Sequence, residues 1–166
     1  SGGPRPLVTV LLAGIGHSLR GDDAAGLEAV QTWQRAYPDS ASDPRIRIEL
    51  LESPGIDLAH LLQDTEAGVL VDAVLSGGTP GEIHRFSELD ISHFSAAGES
   101  VHGWGIPQAL RMAKALGWST STGKLTVIGI EALQSEMGAP LSPAVQNALP
   151  AAAAAIQAEI RSFLGS

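Results

Sequence analysis

The chain has 166 residues, enough for one domain, with 44% apolar and 17% charged residues, so it can bury a core without a disulfide or structural metal. Eighteen acidic residues against ten basic ones give a formal charge of −8, which argues against nucleic acid or an anionic membrane as the main partner. There is no cysteine, which removes thiol catalysis, Cys-ligated zinc and iron–sulfur chemistry and is compatible with a cytoplasmic location.

Ser1-Gly2-Gly3 lacks an initiator Met, and residues 1–6 are expected to be a remnant or disordered start ahead of a single domain over 7–166. No stretch approaches the roughly 18 to 20 apolar residues needed to cross a bilayer. Leu7 to Ala13 is an aliphatic run stopped by Gly14, as for a strand buried on both faces. Asp22 or Asp23 can cap the next element, where Leu27, Val30, Trp33 or Gln34, and Tyr37 recur at helical spacing until Pro38. Arg45 to Leu51 alternates and predicts a half-buried strand near an edge. Pro54-Gly55 opens a short helix with Ile56, Ala59 and Leu62 inward.

Gly68 to Leu75 predicts a central strand interrupted by one carboxylate, Asp72, and residues 76–81 form a turn cluster before a weaker strand at Glu82 to Phe86. Residues 89–101 read as loop with a helical turn. Ile106 or Pro107 starts a helix with Leu110, Ala113 and Leu116 on one face and Gly117 at its end. Leu125 to Ile130 is a fifth strand. Ser142-Pro143 has the form of an N-cap and first helical residue, and Pro150 is expected to kink or divide the Ala-rich helix that follows. Strands alternating with helices predict an α/β fold, a three-layer α/β/α sandwich with a mostly parallel twisted sheet of about five strands.

Ligand sites of open α/β sheets lie beyond the carboxyl ends of the strands. The first strand leads there into Gly14-Ile15-Gly16-His17-Ser18-Leu19-Arg20-Gly21-Asp22-Asp23. This is not a dinucleotide loop, because the third glycine would fall at Leu19 and two carboxylates at a helix start repel a pyrophosphate. One of Asp22 and Asp23 suffices for capping, which leaves a carboxylate for other work. Asp72 sits inside V-L-V-D-A-V, where a buried carboxylate costs several kcal/mol unless it binds backbone N–H groups or a cation. His102 stands in a loop before a helix, as a solvent-exposed residue or a ligand. His60, His84 and His93 read as surface residues, and His17 can line the glycine loop. Two carboxylates and an imidazole, Asp23, Asp72 and His102, separated by 49 and 30 residues, form an oxygen/nitrogen ligand set with open positions. Ser18 and Ser76 lack the G-x-S-x-G elbow of serine hydrolases.

L-L-A-G-I-G-H-S-L-R-G-D-D-A-A-G resembles the opening of the hydrogenase maturation proteases: an apolar strand, G-x-G-N, a spacer, Asp followed by Asp or Glu, and a glycine. V-D-A-V with T-P-G-E-I, S-V-H-G-W-G-I-P-Q-A-L, and V-I-G-I-E-A-L with G-A-P-L-S-P-A-V resemble later family segments in the same order, over about residues 7 to 160. His17 stands where the family usually has Asn, Ala25 where Gly is frequent, and Glu52-Ser53-Pro54-Gly55 replaces an Asp-Gly-Gly-Thr-like stretch. The resemblance implies an endopeptidase that removes the C-terminal extension of a nickel–iron hydrogenase large subunit after nickel insertion. Asp23, Asp72 and His102 would contact nickel carried by the substrate and take part in catalysis, with Asp22 a possible helper and no permanent cofactor. The expected partner is the large-subunit precursor, with the enzyme a cytoplasmic monomer. The alternatives are a module that binds the precursor without cutting it and a related-fold protease of another protein.

Overall fold

The aliphatic runs of the sequence become strands of one sheet. The structure, a computed structural model, describes residues 10–52, 55–63, 65–88, 90, 99–100, 106–116 and 124–165. In chain order these form β1 (Val10–Ile15), α1 (Ala25–Ala36), α2 (Pro38–Ala41), β2 (Ile46–Leu51), α3 (Gly55–Gln63), β3 (Ala67–Leu75), β4 (Ile83–Ser87), β5 (Glu99–Ser100), α4 (Ile106–Ala115), β6 (Leu125–Glu131) and α5 (Pro143–Leu164). A 3-10 turn, Gly21–Ala24, precedes α1.

The main sheet order is β2-β1-β3-β6-β4, with the two-residue β5 paired to β3. The pairs β1–β2, β1–β3 and β3–β6 are parallel; β4 runs antiparallel to β6. The expected three-layer arrangement with about five strands is therefore present, β5 being a short addition. β1, β3 and β6 are covered on both faces, which is why their sequences are nearly unbroken aliphatic runs. Edge strand β2 alternates and leaves Leu50 exposed.

Each face of the sheet has its own core. Val10, Leu12, Val69, Val71, Ile128 and Ile130 pack under α1 and α5. Leu11, Ala13, Leu70 and Val127 meet Leu58 and Leu62 of α3 and Ile106 and Ala109 of α4 on the other. Burying each large aliphatic side chain stabilises by about 1.5–3 kcal/mol, which is how a core poor in aromatics holds together. Trp33 of α1 is the large exception, fully buried, with its indole N–H donating to Gln157 of α5 at 2.9 Å.

Five local expectations change. β1 does not stop at Gly14, which pairs with Leu50 and Val71 while α1 crosses so closely that a Cβ there would press on Gly26 and Val30. Neither Asp22 nor Asp23 caps a helix: the cap positions are Arg20 and Ala24, without side-chain cap bonds. Ser142 occupies the cap position of α5, but its side chain accepts no helix N–H, and its hydroxyl donates to Asp22 instead. Of the two outcomes expected at Pro150, kinking or dividing, division does not occur, since α5 runs unbroken from Pro143 to Leu164. The buried stripe of α4 is Ile106, Ala109 and Ala113, with Leu116 exposed; Gly117 lies outside the described residues, as do residues 1–9. Among the described residues no helix is long and apolar enough to cross a membrane.

Candidate functional site at the β1–β3 switch point

After β1 the chain returns to the sheet on one side of β1, as β2, and then crosses to the other side, as β3. The carboxyl ends of β1 and β3 therefore flank the point where the winding reverses, the place where open α/β sheets leave a crevice for ligands. The turn Gly21–Ala24 follows β1 and packs against β3. It carries Asp23, and β3 carries Asp72; both side chains are buried, with 2% exposure each.

Short-range packing fixes the loop that holds Asp23. A Cβ on Gly16 would collide with the carbonyl oxygen of Asp23, and that oxygen accepts the His17 N–H at 3.2 Å. The Asp23 N–H donates back to the Arg20 carbonyl at 2.9 Å. The Ser18 N–H donates to Glu52 Oε1 at 2.8 Å, so the carboxylate at the end of β2 ties down the loop leaving β1. Hydrogen bonding from the Ser18 side chain first, and from its backbone N–H second, holds the Glu52 carboxyl below its ordinary range. The Leu19 N–H donates to Nδ1 of His17 at 3.3 Å, which places His17 in the loop wall.

Asp22 is fully buried and both its oxygens are engaged. Oδ2 accepts the N–H groups of Leu133 (2.9 Å) and Gln134 (3.3 Å) and the Ser142 hydroxyl (2.7 Å), and Oδ1 accepts the Ser142 N–H at 2.7 Å. Its observed duty is to join the loop after β1 to the loop after β6. Asp72 lies in β3 opposite Gly129 of β6, on the sheet face of Leu70, under α3 and α4.

His102 and His93 lie outside the described residues. The segment ahead of His102 is nonetheless located: Ser100 pairs with Val74, two residues beyond Asp72, and Glu99 with Leu75. Because β6 takes the other edge of β3 as far as Val74, β5 adds on the β1 side, above the crevice. No three His, Asp or Glu side chains are grouped to hold a metal ion among the described residues.

One polar cluster was not read from the sequence. Glu131, the last residue of β6, is buried, and its carboxylate accepts the Ser76 N–H at 2.8 Å and the Ser76 hydroxyl. Nε2 of His84 lies 3.0 Å from Glu131 Oε1 and 3.9 Å from Glu82 Oε2, so His84 is a half-buried partner and not the surface residue expected. Burial alone would raise the Glu131 carboxyl, but the hydrogen bonds from Ser76 and His84 outweigh it and hold the group below its ordinary range. The signal was present: a carboxylate ending an aliphatic strand, the same anomaly that marked Asp72. Across the sheet His84 pairs with Gly129 and Gly129 with Asp72, so His84 and Asp72 share one face two strands apart. A cleft of about 370 Å³ between β4 and α5, lined by Ile83, Arg85, Ala151, Ala154 and Ala155, lies on the opposite face and contains none of these groups.

Residues 52–159 match the family model described as hydrogenase maturation protease. The chain belongs to the hydrogenase maturation protease family. It is thus a peptide hydrolase, a hydrogenase maturation endopeptidase, as the sequence resemblance implied. Hydrogenase expression/formation protein HupD of Rhizobium leguminosarum bv. viciae is 29% identical over 154 residues, covering 90% of this chain and 73% of that protein. HupD of Rhodobacter capsulatus is also 29% identical, over 158 residues, covering 93% and 72%. Among solved structures, the [NiFe] hydrogenase maturation protease HybD from Thermococcus kodakarensis is 27% identical with a TM-score of 0.67, over 90% of this chain and 97% of that one. The hydrogenase maturating endopeptidase HybD from Escherichia coli, 21% identical, shares the fold with a TM-score of 0.73 over 93% of each chain.

Proposed function

We propose that this enzyme removes the C-terminal extension of a nickel–iron hydrogenase large subunit once nickel has been inserted, and that Asp23, Asp72 and His102 engage the nickel held by that substrate. The observation that carries the reading is that two buried carboxylates, Asp23 in the turn after β1 and Asp72 in β3, stand on the elements that flank the switch point. Pairing of Ser100 with Val74 supports the third member, since two residues of chain span at most about 7 Å. Carboxylate and imidazole are donors suited to a borderline divalent metal, and three of them leave positions for the ligands the substrate brings.

Contact with the substrate's nickel holds the scissile peptide against the enzyme and makes cleavage depend on a loaded metal. Water adds to the scissile carbonyl, the C–N bond breaks, and the proton passes to the leaving amine. A metal-polarised carbonyl or water, or a carboxylate base such as Asp23, serves the first step. The enzyme needs no permanent cofactor on this reading, because nickel arrives with the substrate. It acts in the cytoplasm as a monomer on a protein partner, away from nucleic acid and membrane, a setting that the net charge of −8 favours.

The test uses purified, nickel-loaded precursor and mass spectrometry of the large subunit. Asp72→Asn and His102→Ala are each expected to slow shortening by at least about a hundredfold while the protein remains folded. Wild-type rates in both variants would refute the assignment.

A further inference from the structure

Leu19, Leu133 and Met137 are 62, 60 and 59% exposed, and they ride on two loops that the fold stitches together beside Asp23. The Gly138 N–H donates to the Leu19 carbonyl at 2.7 Å, Gly21 N–H to Ala139 at 3.1 Å, and Asp22 N–H to Gln134 at 3.0 Å. Beneath them the buried Asp22 carboxylate gathers Leu133, Gln134 and Ser142. Gly21 closes the junction with a φ of +50°, and a Cβ there would strike the Gln134 amide.

We propose that this platform, residues 17–22 with 132–141, is a docking surface for an apolar stretch of the protein substrate next to its scissile peptide. The inference rests on the proposed function, because it takes the substrate to reach Asp23. Three arguments carry it. Large apolar side chains held out in water cost the free protein solubility, and clustered ones mark interaction sites. The platform is continuous with the crevice: the short loop that lifts Leu19 into solvent returns to bury Asp23 four residues later. It is also preformed, so little ordering entropy is lost when a partner seats on it. The flanking charges, Arg20 and Glu136, are of opposite sign, so an uncharged apolar segment fits better than a polyion.

The deciding experiment compares wild type with the triple variant Leu19→Ser, Leu133→Ser, Met137→Ser and, as an exposed control just past α4, Leu116→Ser. Equilibrium binding to purified nickel-loaded precursor and the rate of its shortening are both read. The triple variant is expected to raise Kd and KM by about tenfold with kcat within about twofold, and the control to change neither. Unchanged Kd and KM in a triple variant that melts like wild type overturn the platform. If the triple variant does not fold, the three single variants decide the same question on the same readouts. A wild type that binds precursor without shortening it refutes the cleavage reading instead, and the Kd comparison still judges the platform. Concentration-dependent self-association of the wild type that the triple variant abolishes, with precursor Kd unchanged, assigns the face to a second copy of this chain and also overturns the proposal.

Discussion

Asp22, adjacent to Asp23 and like it buried, ties two loops of the local architecture together. It accepts four hydrogen bonds from residues 111 to 120 positions away. Truncation to alanine leaves those donors without an acceptor in a region that water enters poorly, and each orphaned buried donor costs about 1–3 kcal/mol. Asp22→Ala is therefore expected to lower stability by about 3–5 kcal/mol, read as a reduced midpoint in urea with an unchanged slope. Asp22→Asn can keep an amide oxygen at the position where three of the donors converge, and it should recover more than half of the loss. Equal losses in the two variants would show that charge, not acceptor geometry, is what the loops require. Glu131 invites a different measurement. Its carboxyl is held below the ordinary range because Ser76 and His84 bind the ionised form, despite burial. The unfolded chain then takes up a proton before the native one does, so stability contributed by Glu131 is complete above about pH 4.3 and is lost as pH falls through the lowered native value. Wild type should exceed Glu131→Gln in stability at pH 5, and the gap should close toward pH 3. A gap that is constant across that window would contradict the hydrogen-bond account.

At the scale of elements, the crevice depends on how closely α1 approaches the strands. Gly26, in its first turn, lies between β1 and β3, where a Cβ would collide with the carbonyl oxygens of both Ile15 and Val71. Neither obstacle is a side chain that can rotate away, so Gly26→Ala must push α1 outward or bend the strand ends. A cost above about 3 kcal/mol is expected, together with weakened precursor shortening, because the turn carrying Asp23 leads directly into that helix. Thermal melts and cleavage assays on the same preparation check both halves. The elements themselves were largely legible. β1, β3 and β6 announce themselves as aliphatic runs because both faces are covered, and α1 and α5 show stripes because one face is. What misled was local chemistry with two uses. Asp22 and Ser142 have the residue types and positions of helix caps, yet they hydrogen-bond to each other across 120 residues. No short window contains that choice, because it is made when β1 and β6 place their following loops side by side. His84 was missed for the same reason, since its partner Glu131 stands 47 positions on and meets it when β4 adds antiparallel to β6.

For the whole molecule, the proposed site depends on strand order and not on any compact motif in the chain. Asp23 and Asp72 are 49 residues apart, and the turn after β1 that carries one and the strand β3 that carries the other belong to neighbouring strands whose connections depart in opposite directions. The anomaly of Asp72, a carboxylate in an aliphatic strand, was visible in the sequence. Its meaning required the sheet order, which single-sequence patterning does not contain. The same geometry carries a prediction about where the metal resides. If the crevice reads nickel already held by the precursor, enzyme treated with a strong chelator and then freed of it should shorten nickel-loaded precursor at the untreated rate. Precursor stripped of nickel should resist untreated enzyme, because the carboxylates and the imidazole would have no cation to meet and the peptide would not be held in place. Pre-loading the enzyme with nickel should not rescue the stripped precursor. A chelated enzyme that is inactive until nickel is returned to it would assign the metal to the protease as a resident catalytic ion, and the crevice would then be a metalloprotease centre in its own right.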